Sequence, residues 1–371
     1  MTYNKLDKIE IENFKSIRKL ELDLDNLNIF IGPNGAGKSN FIDIFEFLNE
    51  IINKRLQIYT GKAGGADKIL YYGKKIAEFL RIKLSFSDFE YDYEIKLLPT
   101  QENVFIFEKE EIADKKDINA DSPQTSRRIN FGNGYCESRL KENSEKKLED
   151  PKYVYSVLES WKIYHFHDTS DNSLLKQLCD LEDNILLKPD ARNIAAFLYR
   201  IKEKYPDYYN NIEDTIKSVV PFFENLRLVP SRLNEKKIGL EWKEKGNDNY
   251  FNAHSLSDGT LRFICLATLL MQPDELLPSV IILDEPELGL HPYAIQVLAG
   301  LLKSVSQKTQ VLVSTQSVTL VNQFDPENII VVDREDSQSV FKRLDKSGME
   351  NWLEDYGLGD LWEKNIFGGR P

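Results

Sequence analysis

Hydrophobic positions along the chain change their spacing several times, and the changes mark its elements. Lys8 to Ile11, Leu20 to Leu24 and Leu27 to Ile31 carry apolar residues at alternate positions or in a short unbroken run, which predicts strands. Phe41, Ile42, Ile44, Phe45, Phe47 and Leu48 then recur at helical spacing and predict a helix ending near Leu56. Tyr59 to Lys75 contains Gly61, Gly64, Gly65 and Gly73 and reads as a loop. Phe79 to Phe86, Tyr91 to Leu98 and Val104 to Lys109 alternate again, as short strands of an antiparallel sheet do. Lys115 to Lys147 is polar and weakly patterned, the expected flexible segment.

From Lys152 to about Phe223 the period is helical, with Leu174, Leu175, Leu178 and Leu181 and then Ile194, Phe197, Leu198 and Ile201 at spacings of three and four. Leu226 to Pro230 and Ile238 to Trp242 return to strands. The last third alternates: helix Gly259 to Met271, strand Val280 to Leu283, helix Pro292 to Val305, strand Gln310 to Val313, a short helix near Leu320 and strand Ile329 to Val332. That order predicts an α/β fold with a parallel sheet covered by helices, shared by the N-terminal strands and the last third and interrupted by the middle region. The expected organisation is 1–125, an N-terminal core part with an antiparallel lobe; 126–225, a flexible segment and helical insertion; 226–345, the C-terminal core part; and 346–371, an extension.

Composition narrows the function classes. The chain has 371 residues, 41% hydrophobic and 11% aromatic, enough for a sizeable core. Its net charge of −12 argues against a globally basic nucleic-acid binder, though not against a local basic face. Its three cysteines, Cys136, Cys179 and Cys265, form no C-x-x-C pair, so neither a disulfide framework nor a zinc site is indicated. No apolar run has the length of a membrane span and the first residues do not open a signal peptide, so a cytoplasmic location is expected.

The chemistry begins at Gly32-Pro33-Asn34-Gly35-Ala36-Gly37-Lys38-Ser39, which fits G-x-x-x-x-G-K-[ST] after an apolar strand and before a helix. Its glycines let the backbone curl so that N–H groups face phosphate oxygens, Lys38 supplies a point charge to the terminal phosphates, and Ser39 offers a hydroxyl to Mg²⁺. Contacts to a nucleoside triphosphate are expected through Asn34, Gly35, Gly37, Lys38, Ser39 and Asn40. Val280 to Leu283 then delivers Asp284 and Glu285 at a strand's carboxyl end, where α/β sheets place ligands. Asp284 suits Mg²⁺, directly or through water, and Glu285 suits activation of a water on the γ-phosphate. Ser257-Asp258-Gly259 opens a third element, a long apolar helix whose N-terminus is fit for an anion.

Together these motifs resemble ABC-type ATPases of the RecF/SMC class. Leu256-Ser257-Asp258-Gly259-Thr260 is similar to the LSGGQ signature, with Asp258 replacing its first glycine and Thr260 its glutamine. Ile9-Glu10-Ile11-Glu12-Asn13-Phe14-Lys15-Ser16-Ile17 looks like the opening of that class, a segment near the adenine and phosphates. Asp284-Glu285-Pro286-Glu287-Leu288-Gly289-Leu290-His291-Pro292 is similar to the Walker B region of predicted ATPases related to the OLD family, and Trp161 to Asp168, Lys188 to Leu198, Leu358 to Trp362 and Gly368 to Pro371 also read like that group. The resemblance implies a P-loop NTPase fold of the ABC-ATPase head type, with a mixed sheet lobe and a helical insertion. It implies ATP and Mg²⁺ as cofactors and a homodimer with two ATPs sandwiched between P-loops and the opposite chains' Ser257 and Gly259. It also implies a separately encoded effector such as a nuclease in bacterial anti-phage defence, with RecF-like DNA clamping or a nucleotide-gated scaffold as alternatives, and leaves a DNA ligand open. No nuclease domain of the toprim type is expected after the last core strand. One position departs from the pattern: where such ATPases carry a switch histidine, Gln316 stands, which can hydrogen-bond a γ-phosphate or water but cannot titrate. Gln57 and Gln101 are both candidates for the Q-loop glutamine.

His165 and His167 could recruit a metal as two ligands on one strand face, but without further clustered ligands a structural role is favoured. His291 is expected in the loop after Asp284-Glu285, structural or reaching across a dimer. Arg127, Arg128 and Arg139 read as a solvated face rather than a nucleic-acid site, and Trp352 and Trp362 as packing for the C-terminal segment.

Overall fold

Two six-stranded sheets sandwich the helix that begins at Lys38. The computed structural model describes residues 5–86, 91–114, 128–146, 148–346 and 356–369; Arg127, Trp352, Arg370 and Pro371 lie outside these residues, as does 115–127 and 147 of the expected flexible segment. The first sheet is antiparallel throughout, in the order Ile17–Asp23, Lys8–Phe14, Leu80–Phe86, Tyr91–Pro99, Phe105–Asp114, Arg128–Asn130. The second runs Gln338–Arg343, Ile329–Glu335, Leu27–Ile31, Gln310–Thr315, Val280–Asp284, Lys162–Tyr164 and is parallel apart from the terminal hairpin of Ile329–Glu335 with Gln338–Arg343. This is the α/β architecture that the alternation predicts.

The period of two explains why the parallel strands read as unbroken apolar runs. Both of their faces are buried, against different cores. Phe30, Ile282, Leu312, Ile330 and Val332 face the helix Lys38–Ile52 and the antiparallel sheet. Ile29, Ile31, Ile281, Leu283, Val311, Val313, Ile329 and Val331 face the other way, onto the helices Asp258–Leu270, Pro292–Val305, Ile194–Lys204 and Pro206–Val219.

Two expectations are corrected. Tyr59 to Lys75 is not a loop: it holds the helices Leu56–Lys62 and Ala66–Ile69, and the Glu137 carboxylate accepts the N–H groups of Leu56 (2.9 Å) and Gln57 (3.1 Å) at the start of the first. A cap from 80 residues downstream cannot be read locally. The leucines Leu174 to Leu181 do not form a regular helix. Leu174–Lys176 is a single 3₁₀ turn and Cys179–Asp180 a short strand paired with Asn234–Ile238, leaving Leu174 and Leu178 exposed. The middle region also contributes Lys162–Tyr164 to the edge of the parallel sheet, a strand too short for its periodicity to register.

Candidate active site

Three neighbouring parallel strands deliver the site. Register pairs Ile31 with Thr315 and Asp284 with Ser314, so the P-loop, the turn at Gln316 and the Asp284-Glu285 pair emerge side by side at the carboxyl ends of their strands. The P-loop turns with Gly32 against its neighbour strand: a Cβ there would lie 2.1 Å from the Val332 carbonyl oxygen, so only glycine fits. Lys38, 6% exposed, donates from Nζ to the carbonyls of Gly32 (2.6 Å) and Pro33 (3.1 Å). Burial pushes its ammonium pKa down, opposed by the charges of Glu285, Asp284 and Glu287, which places Lys38 within the field of all three carboxylates. Asn34, Gly35 and Ser39 are exposed on the same loop.

Asn40, one of the expected nucleotide contacts, is tied to its own chain behind the loop. Its side-chain amide donates to Ser16 Oγ (2.7 Å), which lies 2.6 Å from Ser339 Oγ, and the Ser339 hydroxyl donates to the Ala36 carbonyl. The hairpin strand Gln338–Arg343, which hydrophobic pattern missed, thus braces the P-loop from behind. Beside this brace opens a cavity of about 570 Å³, lined among others by Lys15, Ser16, Asn40, Lys68, Tyr72 and Arg334.

On the other side of Lys38, Glu285 occupies a left-handed backbone conformation (φ 43°) and its N–H donates to the Ser314 carbonyl (2.8 Å). The Gln316 side-chain amide donates to Glu285 Oε1, so these two predicted residues meet. Glu287 was not singled out for a role by sequence, yet it is 7% exposed and accepts from the Thr315 hydroxyl and, at 3.4 Å, from the Gln316 N–H. Burial raises its pKa, and the Glu285 charge adds to the rise while its hydrogen bonds oppose it.

The signature turn makes its contacts elsewhere. Ser257 caps Asp258–Leu270, its Oγ accepting from the Thr260 N–H (3.2 Å), and is exposed. Arg262 ties this helix to the loop after Glu285: its guanidinium donates to the carbonyls of Leu288 (2.8 Å), His167 (2.9 Å) and Phe166 (3.2 Å). The hydrogen bonds and close approaches of Ser257 and Gly259 therefore run to their own cap and to that loop, rather than to the P-loop of the same chain.

The remaining candidates resolve into scaffolding. Gln57 donates to the carbonyls of Phe105 (3.0 Å) and Cys136 (2.6 Å), pinning a helix to the antiparallel lobe, and Gln101 is exposed in a turn. His165 and His167 follow the strand Lys162–Tyr164 with rings 6.2 Å apart, and among the described residues no group of three His, Cys, Asp or Glu is placed to hold a metal. Burial lowers the His165 pKa while the nearby Asp284 charge opposes it. His291 caps Pro292–Val305 through Nδ1. Arg139 stacks on Tyr135 and donates to the Phe131 carbonyl. No described helix is long and apolar enough to cross a membrane.

Against known proteins, residues 27–322 match the family model described as AAA domain, putative AbiEii toxin, type IV TA system. An ATP/GTP phosphatase of Helicobacter pylori is 23% identical over 304 residues, 77% of either chain. Endonuclease GajA of Bacillus cereus is 33% identical over 98 residues, 25% of this chain but 15% of that protein. Coverage of the chromosome partition protein Smc of Methanocaldococcus jannaschii is smaller still, 7% of its length at 39% identity over 85 residues. Among solved structures, an SMC head bound to the C-winged helix domain of ScpA superposes with a TM-score of 0.62 at 15% identity, over 94% of this chain and 99% of that one. The fold is that of an SMC-type P-loop ATPase head.

Proposed function

The chain belongs to the family of AAA domains described as putative AbiEii toxin of type IV TA systems, and we propose that it is an ATPase that dimerises around ATP and so governs a partner effector in anti-phage defence. One observation carries the reading: Lys38, Asp284, Glu285 and Gln316 converge at the ends of three adjacent parallel strands, with Gln316 bonded to Glu285.

The residues fit their cofactors. A loop that bars a Cβ at Gly32 and buries a lysine at its turn suits phosphates, and the hydroxyl of Ser39 and the carboxylate of Asp284 are hard oxygen donors of the kind Mg²⁺ prefers. Bound there, Mg²⁺ would offset charge on the β- and γ-phosphates. Lys38 leaves its carbonyls for the phosphates, Glu285 takes the proton of the attacking water, and Gln316 senses the γ-phosphate and holds Glu285 in place. The cavity beside Ser16 and Asn40 receives the nucleoside end. Asn34, Gly35 and Gly37 present backbone N–H groups. The contacts of Ser257 and Gly259 run to their own helix cap and to the loop at Gly289 rather than to their own P-loop, which supports a site completed by a second copy.

The names of relatives support the biological reading: an ATP/GTP phosphatase for turnover, and GajA, an endonuclease, for the kind of effector such a head serves. The antiparallel sheet counts against DNA as the direct ligand of that face. Among the described residues, two of its central basic side chains are engaged with acids, Arg81 with Glu10, Glu12 and Glu94 and Lys109 with Glu94 and Glu111, at 2.7–3.2 Å, which leaves them less available to phosphates.

The test is Glu285→Gln, expected to bind ATP, to stop turning it over and to accumulate as a dimer in size-exclusion chromatography; normal turnover would refute the assignment. Adding Ser257→Arg should abolish that dimer, and a dimer that persists would refute the shared site.

A further inference from the structure

Glu287 lies three residues beyond Asp284 in a turn closed by Leu288 N–H on the Glu285 carbonyl (3.2 Å) and Leu290 N–H on the Glu287 carbonyl (3.0 Å). It is almost wholly buried, and among the described residues no lysine or arginine lies within ion-pair distance of it. A carboxylate in such a place is costly unless hydrogen bonds hold it. Here they are divided unevenly. Oε1 accepts from the Thr315 hydroxyl and the Gln316 N–H, while Oε2, fully buried, has no hydrogen-bond partner.

The bonds on Oε1 all lead to one turn. The Thr315 hydroxyl, donating to Glu287, accepts in turn from the Ser317 N–H (3.0 Å), and Ser317 Oγ accepts from the Leu320 N–H (3.2 Å) at the start of the helix Val318–Val321. Residues 315 to 317 are thereby clamped between the Glu287 carboxylate on one side and a helix cap on the other. Gln316 sits at the centre of the clamp, and its side chain reaches from there to Glu285.

We infer that Glu287 is a positioning residue for ATP hydrolysis, fixing the backbone of Gln316 through Oε1 so that the Gln316 amide holds the Glu285 carboxylate in its working orientation. The inference rests on the reading of this site as an ATPase centre. Glu287 touches neither the reacting atoms nor the P-loop backbone in this account; it acts through Gln316. A purely structural anchor would lose stability when cut and show no preference between turnover and binding, and its loss would add to that of Gln316. A positioning residue shows the opposite on both counts.

The experiment compares Glu287→Ala, Glu287→Gln and Gln316→Ala, with the double variant Glu287→Ala/Gln316→Ala, measuring steady-state ATPase rates and binding of a fluorescent ATP analogue. The expected result is a fall in kcat on the order of 10- to 100-fold for Glu287→Ala with KM for ATP changed less than about 3-fold. Glu287→Gln, which keeps an acceptor at Oε1, should recover most of the rate. In the Gln316→Ala background, Glu287→Ala should change kcat by less than about 2-fold, because the path it acts through is already gone. Thr315→Val, which removes one donor with little change of shape, gives the same readout should Glu287→Ala fold poorly, and its expected effect is a smaller fall in kcat that is likewise absent beside Gln316→Ala. Independent, multiplying losses, an unchanged kcat, or a loss confined to binding would overturn the inference while leaving the ATPase reading standing. A wild-type chain that neither binds the analogue nor hydrolyses ATP, matching Lys38→Ala, would overturn both.

Discussion

Gly259 lies so close to Gly289 that a Cβ on Gly259 would stand 2.3 Å from the Gly289 carbonyl oxygen. Gly289 is itself in a left-handed conformation (φ 76°), with Arg262 Nη1 3.0 Å from where its own Cβ would be. The first turn of the signature helix is therefore locked to the loop that follows Glu285. The approach is backbone to backbone, with no flexible side chain between them. In the two-chain site proposed above, this would join the surface offered to one nucleotide with the loop beside the other.

Gly259→Ala tests that lock. Alanine favours a helix, so only the contact can make it harmful. The backbone carbonyl must move, which costs about 1–3 kcal/mol, readable as a lower midpoint in urea. Turnover should fall further than stability explains, because the shift displaces the loop adjoining Glu285. A variant with unchanged midpoint and rate would contradict the close approach.

Lys38 makes binding and stability respond oppositely to alkali. Burial lowers its pKa below the ordinary value of 10.5, so the folded state gives up this proton more readily than the unfolded one. Below the lowered pKa the lysine is charged in both states and its burial penalty is present in full. As pH rises from there toward 10.5 the penalty disappears, so the wild type should gain stability relative to Lys38→Met. ATP affinity should fall over the same window, since the neutral amine no longer attracts phosphate. Parallel urea titrations and analogue-binding curves check both signs, and affinity that stays constant through the window would argue against Lys38 as a phosphate ligand.

Much of the candidate site was legible because its motifs are local in sequence. Gly32 to Ser39, Asp284-Glu285 and Ser257-Gly259 each occupy a few adjacent residues, and the apolar strands before the first two fix where they emerge. Gln316 was found as a departure from a pattern, and its bond to Glu285 then follows from two neighbouring strands. What was not legible is long-range. Ser339 reaches the P-loop from 303 residues away, Glu137 caps a helix 80 residues upstream, and Arg262 clamps carbonyls 95 and 26 residues distant. None of these has a spacing that periodicity could detect. Glu287 was read as part of a loop because a carboxylate's burial is not a property of its neighbours in sequence. Leu174 to Leu181 failed for a related reason: leucines at helical spacing were placed on a turn and a two-residue strand by pairing with Asn234–Ile238.

Glu110 provides a stability test remote from the nucleotide. Fully buried in the antiparallel sheet, its carboxylate accepts from the hydroxyls of Tyr93 (2.8 Å), Tyr135 (2.9 Å) and Ser138 and from the Arg139 N–H (3.0 Å). Burial and this negative charge push both tyrosine pKa values up, so the phenols stay protonated donors. Glu110→Ala strands four donors and should cost about 3 kcal/mol or more, Glu110→Gln less. ATP binding measured well below the melting transition should be unchanged, and equal midpoints for wild type and Glu110→Ala would refute the account.

The C-terminal segment should matter to the nucleotide because Gly369 packs against the first glycine of the P-loop. Trp362, in the helix Leu358–Glu363, is fully buried and donates from Nε1 to the Gly369 carbonyl. Gly369 in turn donates its N–H to Asp333 Oδ2 (3.0 Å), and a Cβ on it would meet Val331 Cγ1 at 2.5 Å and the Cα of Gly32 at 3.7 Å. The segment therefore fills the space under the first glycine of the phosphate loop. Trp362→Phe keeps most of the packing and removes the N–H, so it should cost about 1 kcal/mol. Trp362→Ala opens a cavity and should cost about 3–5 kcal/mol. If the segment supports Gly32, ATP-analogue affinity in Trp362→Phe should fall several-fold at a temperature where the chain is fully folded. Gly369→Val should lower it more, since its branched side chain must push on Val331 and Gly32 together. Affinities equal to wild type in both variants would make the segment a stabiliser of the helical layer alone, with no part in shaping the phosphate loop.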